Sequence, residues 1–126
     1  MLFYMISKTK VKERIKGKGN PEIVETINLA MKNEKWFEIA KIISSSRKKY
    51  SDINLKNIDE KTKEGDIVVV AGKVLGKGNI SKKVRVCAIN FSESAREKLR
   101  KTKSEAITIL EEIKKNPKAE GIKLIR

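Results

Sequence analysis

With 126 residues, 30 Lys plus Arg against 16 Asp plus Glu and a formal net charge of +14, the chain has the length of one domain and is strongly basic. It has no histidine and one cysteine, Cys87. That excludes an internal disulfide, a serine triad, a thiol–imidazole dyad and a zinc cluster. Hydrophobic residues make up 39% and aromatic residues only 5%, enough for one modest core but poor material for an aromatic-lined substrate pocket.

The chain opens on an apolar run, Met1 to Ile6. The run is short and its cations follow it, the reverse of a secretory signal. There is no apolar span long enough to cross a bilayer, and cysteine usage points to the cytosol. Lys8, Lys10, Lys12, Arg14, Lys16 and Lys18 then alternate with other residues against Glu13 alone. With Gly17 and Gly19 closing the segment, residues 1–19 read as a flexible basic arm.

Asn20-Pro21-Glu22 is a helix start, with Asn as cap and Pro in the first turn. Ile23, Ile27, Ala30 and Met31 follow at helical spacing. Trp36, Ile39, Ala40 and Ile43 mark a second amphipathic helix, with Trp36 in the core. Next comes the run Lys41 to Tyr50, which holds Lys41, Arg47, Lys48 and Lys49, three serines including Ser46, and no acid. Cations and hydroxyls in a loop suit a phosphate backbone, although a solvated loop has the same composition. Asn54 caps a short helix through Leu55 and Ile58 that ends before Gly65.

Ile67 to Val70 is a buried strand, and residues 72–79 form a glycine-punctuated loop. Residues 83–89 are a second strand, in which Cys87 is a small core residue. Ser94 and Glu97 stand at capping-box spacing in the next helix. Ile107 to Ile109 is a strand, Leu110 to Lys115 a helix stopped by Asn116-Pro117, and Ile122 to Ile125 a final strand. The class is mixed α/β with short, irregular elements.

The glycine loop fails as a nucleotide site. Lys77 stands where a phosphate-binding loop needs its second glycine, and Ser81 where a dinucleotide fingerprint needs its third. Lys73, Lys77, Lys82, Lys83 and Arg85 nevertheless occur in a stretch without an acid. Cations beside glycine backbone hold phosphates without cleaving them. A basic charge of this size is a footprint for nucleic acid; an anionic membrane surface attracts the same charge.

Residues 68–78, then Lys83-Val84-Arg85-Val86 and Phe91-Ser92-Glu93-Ser94-Ala95, resemble the archaeal and eukaryotic large-subunit ribosomal proteins called eighteen-e, relatives of bacterial protein L-fifteen. The resemblance runs from Asn20 to Arg126 and includes the ending from Asn116. Lys41, Ser46, Arg47, Ser51, Ile53, Asn54, Leu55 and Ile58 fit the family's basic loop and the step that follows it. Ile43, Tyr50, Asn57 and Ala71 depart from it, standing where Leu, Arg or His, a cation and Pro are usual. Residues 1–19 then read as an extension ahead of a single domain at 20–126, with Met5 an alternative start.

The resemblance implies irregular β-β-α units wound as a short superhelix. It implies a cytoplasmic structural protein of the large ribosomal subunit, monomeric there, binding rRNA beside neighbouring proteins. No catalysis, cofactor, metal or small-molecule substrate is implied. A free-standing RNA-binding module and an enzyme acting on nucleic acid are the competing readings. Co-sedimentation with large subunits separates the first of these from a ribosomal protein, and metal or nucleotide dependence would mark the second.

Overall fold

The computed structural model describes residues 10–15, 19–45 and 50–125. Residues 10–15 are helical and are called α1. Pro21–Ala30 (α2) and Glu34–Ser44 (α3) follow, each capped by an asparagine whose side chain accepts from the first turn: Asn20 from Glu22 N–H and Asn33 from Lys35 N–H, both at 2.9 Å. Ile53–Asn54 (β1), Leu55–Lys61 (α4), Ile67–Leu75 (β2), Arg85–Phe91 (β3) and Glu93–Lys101 (α5) come next. Glu105–Thr108 (β4), Ile109–Lys115 (α6) and Ile122–Ile125 (β5) complete the chain.

The five strands make one sheet in which every pairing is parallel. β2 is central. One of its edges pairs with β3, which pairs onward with β4. The other edge is shared: β5 pairs with residues 67–70 of β2 and β1 with residues 74–75. A parallel sheet needs cover on both faces. Side chains alternate across a strand, so Val68, Val70, Val74, Val86 and Ala88 join Leu55, Ile58, Ala95 and Leu99 under α4 and α5. Val69 and Cys87 face the other way, into a cluster with Ile27, Trp36, Phe37, Ile39, Ile109 and Ile113. Trp36 is fully buried, and its indole N–H donates to the carbonyl of Asn116 at 2.9 Å. Burial also pushes the Cys87 thiol well above its usual range, which leaves it inert.

Four sequence expectations change. Residues 10–15 were expected in the flexible arm, yet Val11 is 1% exposed and packs in the cluster of α2, α3 and α6, with Ile15 half-buried beside it. Alternating cations hide this pair, which is apolar at i and i+4 and so shares one helical face. The strand expected to end at Val70 runs on to Leu75 through an irregularity between Val70 and Lys73. Ser92, not Ser94, caps α5, its hydroxyl accepting from Ala95 N–H at 3.2 Å. Thr108 caps α6, so Ile109 opens a helix where a strand was expected.

Gly72 explains the extended strand. A β-carbon there would lie 1.9 Å from the backbone oxygen of Ser51. The glycine permits close approach of two backbones, and Ser51 N–H donates to Ala71 C=O at 3.0 Å. Gly72→Ala is expected to lower stability by about 2 kcal/mol through this overlap; an unchanged urea midpoint would contradict it. Hydrogen exchange on the free protein should show protection within residues 12–15, with Val11→Ala losing about 2 kcal/mol. Exchange at the random-coil rate there would show that α1 does not dock in solution.

Candidate nucleic-acid interface

Lys8, Lys16, Lys18, Ser46, Arg47, Lys48 and Lys49 lie outside the described residues. The remaining cations divide by what their side chains touch. Lys82 is half-buried, and its ammonium donates to the carbonyls of Asp59 and of Thr62, the latter at 2.6 Å. It also stands 3.8 Å from the Asp59 carboxylate. A cation there satisfies the open carbonyls at the end of α4. Lys82 therefore carries bonds of the fold itself.

Arg85 is likewise committed. Its Nε lies 3.0 Å from Oε1 of Glu112, and its terminal nitrogen donates to Oε2 at 3.2 Å. Glu112 is fully buried on α6, against β3. An unpaired carboxylate there would be costly, and the arginine supplies its counter-charge. Tyr50 packs half-buried on the core, and its hydroxyl donates to the carbonyl of Ile43. This anchors the chain after the basic loop and takes up the hydrogen the sequence offered to RNA. Asn54 stands at the cap position of α4 but makes no side-chain cap bond.

Lys10, Lys12, Lys73, Lys77 and Lys83 are exposed. Arg14 is half-buried, 3.4 Å from the carbonyl of Lys41. Lys41 pairs with Glu38 at 3.1 Å and lies 5.5 Å from the centre of the Phe37 ring. Such a surface pair is worth only about 0.3–0.5 kcal/mol and yields readily to a phosphate. Lys73 and Lys77 belong to the carboxyl end of β2, whereas Lys83 precedes β3 at its amino end. These cations, one stretch in sequence, thus lie at opposite ends of a parallel sheet.

Two lysines missed in the sequence shape the carboxyl end. Lys98 on α5 donates to the carbonyls of Gly76 and Gly78, both at 2.7 Å, bracing the glycine loop from beneath. Lys56 N–H bonds to the carbonyl of Lys77 at 3.1 Å, and its side chain is exposed beside the loop. Gly78 has φ +87°, and a β-carbon there would meet Lys56 at 2.5 Å, so the turn requires glycine. Only a three-dimensional contact could have exposed these roles, since Lys98 is 20 residues from Gly78.

At the same end, a groove of about 450 Å³ opens between α2, α6 and the sheet. Gly19 and Tyr50 are on its wall. Among the described residues no group of acids and cysteine is arranged to hold a metal ion. No described helix is long and apolar enough to cross a membrane.

Exposed Lys56, Lys73 and Lys77 stand beside the glycine loop at one end of an α/β scaffold, while Lys82, Arg85 and Lys98 are held by the fold itself. The chain's family is equally definite: residues 9–126 match the sequence model of "Ribosomal protein 60S L18 and 50S L18e", and the chain belongs to that family. It is 37% identical over 115 residues to the large ribosomal subunit protein eL18 of Methanoregula boonei, covering 86% of this chain and 95% of that one. The eL18 protein of Archaeoglobus fulgidus is 38% identical over 114 residues, with 86% and 97% covered. That of Thermoplasma acidophilum is 42% identical over 105 residues, with 83% and 88% covered.

The inward lysine is testable. Lys82→Met keeps the apolar stem and removes the charge-assisted bonds. It should lower stability by about 2 kcal/mol while leaving the salt dependence of RNA binding unchanged; a reduced salt slope would return Lys82 to the phosphate surface. Asp59 gives a pH test. The Ser81 backbone N–H, then the Ser81 hydroxyl and Lys82, hold its carboxyl below the usual 3.8. A depressed carboxylate contributes fully above the unfolded value and loses that contribution as pH falls through the folded one. The stability difference between wild type and Asp59→Asn should therefore be constant above about pH 4 and shrink below it. A difference independent of pH in urea titrations would contradict the assignment.

Proposed function

We propose that the chain is a structural constituent of the large ribosomal subunit. It binds and stabilises large-subunit rRNA as a single copy beside neighbouring subunit proteins, in the cytoplasm and without catalysis. The supporting observation is the family match across residues 9–126, with relatives named large ribosomal subunit protein aligned along most of both chains. The charge distribution agrees with it. Lys56, Lys73 and Lys77 are exposed at the carboxyl end of the sheet. Phosphate contacts of this kind position a protein on RNA and carry no sequence information.

Binding of the free protein to RNA should be strongly salt-dependent. With about six phosphates neutralised, affinity falls by roughly a thousandfold between about 50 and 200 mM salt. A flat salt response would defeat the reading. In cells, the protein should stay with large subunits through a moderate salt wash. Arg47, Lys48 and Lys49 replaced together by Ala should reduce its incorporation, while circular dichroism reports an intact fold. Release into the free fraction during a mild wash would instead favour a module that acts outside the ribosome.

A further inference from the structure

The carboxyl end of the sheet carries a row of three unlike polar side chains. Val74 of β2 pairs with Ile53 of β1 on one side and with Phe91 of β3 on the other. These three are buried in the cluster under α4 and α5. The residue before each one lines the groove. Those residues are Asp52, Lys73 and Asn90, all exposed and all on the groove wall. Strand spacing sets neighbours about 5 Å apart, and Lys73 N–H reaches Asp52 Oδ1 at 3.4 Å. Asn90 Oδ1 accepts from Phe91 N–H at 2.8 Å, which turns its amide NH₂ outward as a donor. The Lys73 ammonium has no partner among the described residues.

Beneath this row half-buried Ile23 and Ile89 give the groove an apolar part, beside Glu22 and Thr108 on its wall. A volume of about 450 Å³ is in the range of small-ligand clefts. The carboxyl edge of a parallel sheet is where such clefts form. A carboxylate in the row disfavours a bare phosphate group. A cation one strand away favours an anion. A ligand that carries N–H donors, a flat apolar face and a nearby phosphate satisfies all three.

We infer that the groove seats one extruded guanine nucleotide of RNA, an inference that rests on the RNA-binding reading above. Asp52 accepts from the guanine N1–H and N2–H₂, Asn90 donates to O6, and Lys73 meets the adjoining phosphate. Guanine is the base with two adjacent donors for one carboxylate. Unpaired RNA bases are read on this edge while their faces rest on protein side chains.

The test uses the full chain and two short single-stranded RNAs, oligouridylates with one central G or one central A, titrated by fluorescence anisotropy at about 50 mM salt. The G-containing RNA should bind about tenfold more tightly, the lower range of a bidentate base contact. Asp52→Asn should abolish that preference and leave the salt slope intact. Lys73→Ala should weaken both RNAs alike and reduce the slope by about one. Equal affinity for both RNAs, or a preference that survives Asp52→Asn, overturns the guanine site while RNA binding stands. Absence of salt-dependent binding to either RNA overturns both readings.

Discussion

Burial of β2 and β3 on both faces is the constraint on which the rest of the structure depends. Neither face of the parallel sheet can meet water, so the two strands are apolar almost throughout: Val68, Val69, Val70, Val86, Cys87 and Ala88 have no exposed surface. A chain with a net charge of +14 must then place its cations at strand ends, on outer helical faces and in loops. In a parallel sheet all strands stop at the same end, and Lys73 and Lys77 lie there. Close approach at Gly72 adds the short strand β1 to that end.

The charges that do enter the interior are paired. Arg85 and Glu112 join β3 to α6, and Lys82 and Lys98 each close an array of backbone carbonyls. A bond from an ammonium to a carbonyl is stronger than one between neutral groups. In a chain this rich in lysine, such bonds let cations take the place of caps and turn residues. The cost is that net charge overstates the charge available to a partner. Lys82, Lys98 and Arg85 are engaged by the fold, which leaves the exposed lysines and arginines as the cations open to a partner.

The carboxyl end of the sheet also holds acid. Asp52 and Glu22 stand on the groove wall with Lys73. A surface that only neutralised phosphate would be weakened by them. A surface that also meets base edges uses them, because carboxylates accept from the N–H groups that phosphates lack. Family membership accounts for the scaffold and its basic surface. The row of Asp52, Lys73 and Asn90 is a property of register, visible only once three strands are placed side by side.

Much of the architecture was legible in the sequence because it rests on local chemistry. Asn20-Pro21 announces α2, the spacing of Trp36, Ile39, Ala40 and Ile43 announces a buried helix face, and the β-branched run Ile67 to Val70 announces a buried strand. The basic character and the ribosomal resemblance were equally plain, since both reside in residue identity and order. What tertiary structure alone decided was pairing. Parallel register set Lys83 apart from Lys73 and Lys77. Contacts across 20 or more residues turned Lys82, Arg85 and Lys98 inward. Docking of Val11 made a helix of residues expected in a flexible arm. A charged side chain looks the same in sequence whether it faces water or a buried carbonyl; only the neighbours brought by folding distinguish the two, because they determine whether the charge is satisfied inside the protein or left for a partner.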